Sequence, residues 1–235
     1  DVANSTGSLD TAHNDDIRAR PLREIEALAA AARQLIGVQS DKVINNVTRC
    51  IERLNILVTG LPDMDPNARI DGISSPRRTD DPFVMTLDLD KPGDRLRFSA
   101  AHELGHVLVH TESRPLSREA REAEADTFAS AFLLPREPML VELSPTLTLA
   151  GYSRIKARWG VSMQAIIRRS FDLSVIDKDR YRSLQIQISS RGWRKDEPVD
   201  IPRETPALPT PEIGGFRRIM NQDNVVSMFD RPLNG

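Results

Sequence analysis

His102-Glu103-Leu104-Gly105-His106-Val107-Leu108-Val109-His110 contains three of the four histidines in this chain of 235 residues, and its first five residues spell H-E-x-x-H. On a helix, positions i and i+4 lie one above the other, so His102 and His106 present two imidazoles to one point while Glu103 flanks it. A zinc ion held there would activate a water that Glu103 can deprotonate. The flanking residues support the helix. Leu96, Phe98, Ala101, Leu104, Val107 and Leu108 recur at helical spacing, and Pro92-Gly93-Asp94 supplies a turn and an N-cap, which predicts one amphipathic helix over 94–109.

Two imidazoles leave a catalytic zinc short of a third protein ligand. The next helix, expected over 117–133 from Ser117 to the stop at Pro135, carries Glu119, Glu122, Glu124 and Asp126, with Ala120, Ala123, Phe128, Ala129, Phe132 and Leu133 as its buried face. Glu122 and Asp126, at i and i+4, share a face. Glu124 points about 200 degrees away from Glu122, so only one of the two can serve. Glu122 is preferred, with Asp126 orienting a ligand histidine through its other nitrogen and the remaining acids solvated. His110, one further turn along, is a competing ligand.

The stretch Arg97-Phe98-Ser99-Ala100-Ala101-His102-Glu103-Leu104-Gly105-His106, followed by His110, resembles the R-F-T-x-A-H-E-L-G-H-x-x-x-H core of the ImmA/IrrE-family metallopeptidases. The run Glu122-Ala123-Glu124-Ala125-Asp126-Thr127-Phe128-Ala129, closing on Leu133-Leu134-Pro135, resembles that family's second signature, E-x-x-A-N/D-x-F-A followed by L-L-M-P. Ser99 replaces Thr and Leu134 stands where Met is usual. The resemblance covers roughly residues 40–196. Upstream it includes Ile70-Asp71-Gly72-Ile73-Ser74 and Phe83-Val84-Met85-Thr86-Leu87. Downstream it takes in Trp159-Gly160-Val161-Ser162, Arg191-Gly192-Trp193-Arg194 and Glu197-Pro198. It implies His102, His106 and Glu122 as zinc ligands, Glu103 as catalytic base and Asp126 as the residue behind a ligand histidine. It further implies a gluzincin-like zinc endopeptidase that cleaves a helix-turn-helix transcriptional repressor and so derepresses stress-response or mobile-element genes. Tyr152 and Tyr181 are the only tyrosines, and no motif marks either as a transition-state donor.

The fold expected is α+β: a zincin-like metallopeptidase with a small sheet packed on the H-E-x-x-H helix, then a helical, helix-turn-helix-like subdomain. Residues 1–19, including His13, read as a disordered leader, 20–145 as the metallopeptidase domain, 146–195 as the helical subdomain and 196–235 as a Pro-rich linker and tail. Helices are expected over 22–36 and from a cap at Ser40 to about 55, with a short one near 214–229. Strands are expected at 56–60, 69–74 and 83–88, separated by Pro62, Pro66 and the Ser75-Pro76 turn. The strand at 83–88 is a candidate sheet edge for an extended substrate, with an internal strand as the alternative.

With 39% apolar and 28% charged residues the chain can bury one core, and a net charge of −2 gives no global attraction to nucleic acid or membrane. Locally, eleven Lys and Arg against three Asp in residues 151–195 give +8. This basic segment contains the outline of a helix-turn-helix: a helix through Ile155 and Trp159, a turn at 160–162, and a helix through Met163, Ile166, Ile167 and Phe171. Bracing the peptidase or docking its substrate is preferred over DNA contact for that segment. Cys50, the single cysteine, shares a helical face with Val43, Ile44, Val47, Ile51 and Leu54 and reads as a core residue. Without a signal sequence or a long apolar run, the cytoplasm is the expected compartment. Two other classes remain open, a non-proteolytic metal-binding regulatory or DNA-binding protein, and the enzyme half of a toxin-antitoxin pair.

Overall fold

The computed structural model describes residues 20–60, 72–74, 83–110 and 116–207. The leader with His13, the breaks expected at Pro62, Pro66 and Ser75-Pro76, the first residues of the strand expected at 69–74, and the tail helix expected near 214–229 lie outside them. In chain order the elements are α1 (Leu22–Leu35), α2 (Val47–Glu52), β1 (Ile56–Gly60), β2 (Gly72–Ser74), β3 (Phe83–Leu87), α3 (Gly93–Val109), α4 (Arg118–Leu133), α5 (Arg136–Glu142), α6 (Leu149–Trp159), α7 (Met163–Asp172) and α8 (Lys178–Ser190). This is an α+β fold, mostly helical. Among the described residues no helix is long and apolar enough to cross a membrane.

The two helices that decide the fold begin and end where their residues dictate. The Ser117 hydroxyl accepts from the Ala120 amide at 3.1 Å and starts α4, which the turn at Leu134-Pro135 ends. Helix α3 packs more extensively on α4 than any other pair of elements does. Gly105 makes that approach possible: a Cβ there would sit 3.1 Å from Phe128 Cδ1 and 3.2 Å from Ala125 Cα. The outer side of this pair is closed by α1 against α4, while β2 and β3 rest on α3.

The sheet overturns one expectation. Its order is β1-β3-β2, with β1 parallel to β3 and β2 antiparallel to it, so the strand at 83–87 is central and offers no edge to a substrate. Met85 and Leu87 are wholly buried, as a strand flanked on both sides requires.

The helix expected from Ser40 is also replaced. The segment before Asn46 is irregular, and α2 starts at Val47 under an Asn46 cap whose Oδ1 accepts from the Arg49 amide at 2.8 Å. The cause is non-local. The buried Arg33 guanidinium donates to the carbonyls of Gln39 (2.9 Å) and Lys42, and also to that of Phe132 (2.6 Å). Arg97 takes the carbonyls of Ile44 (2.7 Å) and Asn45 (3.3 Å). Guanidinium groups from other elements hold these carbonyls and so fasten 39–45 in an irregular course. Cys50 is buried in α2 as expected, and burial pushes its thiol pKa up.

Helices α6 and α7 reproduce the helix-turn-helix outline. Gly160 turns the chain at φ +67°, and any Cβ there would lie 2.8 Å from Arg97 Nε. Much of the segment's basic charge is answered internally. Lys156 is buried between Asp94 (2.7 Å) and Glu197 (3.1 Å), and Arg169 is buried against Glu26 (2.8 Å) and the Leu134 carbonyl. Arg158 pairs with Glu142 and Arg168 with Asp172.

Residues 196–207 are not a free linker. They fold back over the start of α3: Glu197 accepts from the Met163 and Gln164 amides, and Glu204 accepts from Arg97 and from the Thr48 amide. Arg203 donates to the carbonyls of Asp90 and Lys91. A single buried cluster runs from Ile25 through α3 and α4 to Ile188 in α8.

Candidate metal centre

The half of α3 that follows Ala101 carries His102 and His106 toward α4, and His110 follows as its C-cap. Three atoms from the two helices converge. His102 Nε2 lies 3.0 Å from His106 Nε2 and 3.2 Å from Glu122 Oε2, and His106 Nε2 lies 3.6 Å from the same carboxylate oxygen. Glu122 and Asp126, one turn apart on α4, both face α3, whereas Glu124 does not join this cluster. Asp126 Oδ1 is 2.8 Å from His102 Nδ1. A proton on Nδ1 donated to that carboxylate leaves the His102 Nε2 lone pair bare and aimed at the cluster.

The donor set fits a divalent cation. A tetrahedral zinc with bonds of about 2.0–2.1 Å separates its ligand atoms by about 3.3 Å, and the three separations bracket that value. Two imidazole nitrogens and a carboxylate oxygen this close are held together by a positive charge between them, whether a ring proton or a bound cation.

Electrostatics separates the two rings. Burial opposes protonation of His102, but the hydrogen bond to Asp126 and the charges of Asp126, Glu103 and Glu122 outweigh it and raise its pKa. For His106, burial and the neighbouring His102 push the pKa down, with Glu122 and Asp126 only partly offsetting them. Glu103 is buried next to the cluster.

Two expectations for α4 change. Ala123, expected on the buried face, is exposed, and Glu124, expected in solvent, is 1% exposed in its side chain. Its carboxylate lies 3.4 Å from His110 Nε2 and accepts the Arg20 amide at 2.5 Å. His110 itself turns Nδ1 to His106 Nδ1 at 2.9 Å, on the side of that ring away from the cluster, and so lies outside the three-atom group. Tyr152 is fully buried with its hydroxyl 3.3 Å from Ser170 Oγ, and Tyr181 packs on Phe171, so neither faces the cluster. The Glu124–His110 pairing was not anticipated from sequence. Both residues stood in the motifs already quoted, and their i+4 and inter-helix relations were the available signal.

An H-E-x-x-H helix with a glutamate on the next helix is the ligand pattern of two-histidine, one-glutamate catalytic zinc sites such as that of thermolysin. Residues 51–171 match the family described as the IrrE N-terminal-like domain of Peptidase M78, and the chain belongs to that family. A solved Mycobacterium tuberculosis transcriptional regulator is similar at 19% identity and a TM-score of 0.43, over 63% of this chain and 46% of that one, so the match spans less than half of that protein. No curated protein matches the chain.

Proposed function

We propose that this chain is a zinc-dependent endopeptidase, with His102, His106 and Glu122 holding the ion. The observation that carries the reading is the convergence of two imidazole nitrogens and one carboxylate oxygen, each able to bind a metal, beside a buried glutamate. When bound, zinc supplies Lewis acidity that acidifies water and polarises a scissile carbonyl. Glu103 accepts the water's proton and delivers it to the leaving amine. Asp126 holds the Nδ1 proton of His102, so that ring cannot turn its Nε2 away. Family membership supports the reaction class.

The substrate in this reading is a helix-turn-helix repressor, cleaved in the cytoplasm to release stress-response or mobile-element genes, as the sequence resemblance implies. Residues 151–195 brace the peptidase or dock that substrate. Recognition helices of helix-turn-helix proteins contact bases through their N-terminal residues, and here Glu197 presents a carboxylate to the first amides of α7.

The test is metal content followed by cleavage. About one zinc per chain is expected, lost in His102→Ala, His106→Ala and Glu122→Ala. Glu103→Gln should keep the metal and lose cleavage of a helix-turn-helix repressor substrate by about 10²- to 10⁴-fold. Equal cleavage by wild type and Glu103→Gln would remove the enzyme reading.

A further inference from the structure

We propose that His110 and Glu124 act as a positioning relay that keeps the His106 Nε2 lone pair directed at the metal. The inference rests on the zinc reading above and adds two residues to it. His106 Nδ1 and His110 Nδ1 are 2.9 Å apart, which requires one proton between them. Two neutral arrangements satisfy that contact. In one, His106 carries its proton on Nδ1 and donates to His110, whose own proton is then on Nε2. In the other, His110 donates from Nδ1, and His106 must carry its proton on Nε2, inside the cluster.

Glu124 selects between them. Its carboxylate oxygen lies 3.4 Å from His110 Nε2, and the side chains of Glu124 and His110 are only 1% and 7% exposed. A bare His110 Nε2 against a buried carboxylate sets lone pair against negative charge, whereas an Nε2 proton is attracted to it; at this distance the contact is electrostatic rather than a hydrogen bond. Glu124 is anchored independently by the Arg20 amide at 2.5 Å. The selected arrangement places a proton on His106 Nδ1 and leaves His106 Nε2 bare, 3.0 Å from His102 Nε2. The two rings are thus oriented differently: His102 by a direct carboxylate, His106 by a neutral imidazole backed by one.

Backbone geometry supports this role. His110 is the C-cap of α3, with φ −102° and ψ 105°, so its ring stays within reach of His106 as the chain leaves the helix. The ring centroids are 5.0 Å apart and tilted by 50°.

The experiment has two arms on the full chain. Nitrogen-15 correlation of the histidine rings in the wild-type protein, with and without zinc, should show the Nδ1–H form for His106 and the Nε2–H form for His110. An Nδ1–H on His110 with Nε2–H on His106 in the zinc-free protein, or a doubly protonated His110 in the zinc-bound one, would overturn the relay. In the second arm, chelator competition reads zinc affinity. His110→Ala is expected to weaken it by about 10- to 100-fold, Glu124→Leu by less, and His110→Asn, whose Oδ1 can accept in place of Nδ1, should restore most of it. Thermal unfolding of the zinc-free variants checks that folding is unchanged. If His110→Ala binds zinc as wild type does while Glu122→Ala does not, the relay is wrong and the zinc site stands. If Glu122→Ala also binds as wild type, the zinc site itself is wrong.

Discussion

The two ends of α3 use polar side chains in opposite ways. In its first turns Asp94 and Arg97 are buried, and each meets its complement: Lys156 lies 2.7 Å from Asp94 and 3.1 Å from Glu197, and Arg97 reaches Glu204 and two backbone carbonyls of 44–45. At the other end two imidazole nitrogens and a carboxylate oxygen converge across 3.0 to 3.6 Å. Donors answered by acceptors describe a fastening. Convergent His and Glu atoms with no Lys or Arg among them describe a site that fits a metal ion. Burial alone does not separate the two, because Glu103 and Glu124 near the site are as buried as Glu197 and Glu204 in the strap.

The comparison can be broken most sharply at the fastening end. Lys156→Met leaves Asp94 and Glu197 as buried carboxylates without their shared cation, and a loss of about 3–5 kcal/mol in stability is expected. Denaturant unfolding measures it, and zinc affinity of the folded protein should stay within a few-fold of wild type. A variant that loses metal but not stability would show that the strap belongs to the site.

Asp126→Ala is the matching change at the other end. Its side chain is 64% exposed, so unfolding should barely change, while zinc affinity falls by about 10- to 100-fold because His102 loses the partner on Nδ1. A stability loss comparable to that of Lys156→Met would erase the distinction between the two ends.

The smallest effect is expected where the two helices touch. Gly105→Ala places a Cβ at 3.1 to 3.3 Å from Phe128 and Ala125, a contact relieved by a shift of a few tenths of an ångström. A destabilisation of about 1 kcal/mol follows from such overpacking, with a several-fold loss of zinc affinity as Glu122 moves with α4. Unchanged affinity would mean that the spacing of α3 and α4 does not set the ligand geometry.

What was legible in the sequence was local. The 3.6-residue period put His102 above His106 and Glu122 beside Asp126, Ser117 and Pro135 marked the ends of α4, and Gly160 marked the turn between α6 and α7. Each of these depends on neighbours within about one helical turn, where sequence spacing and spatial spacing coincide. Only the tertiary structure decided the rest. The irregular 39–45 segment follows from Arg33 and Arg97, and the central position of β3 from pairing with strands on both sides. The burial of Glu124 follows from His110 and Arg20, and the return of residues 196–207 from Glu197 and Glu204. In each of these a polar group took a partner supplied by another element of the fold. Local spacing sets which faces a helix offers, but the choice of partner across the fold depends on which elements meet, and that is settled by packing of the whole chain.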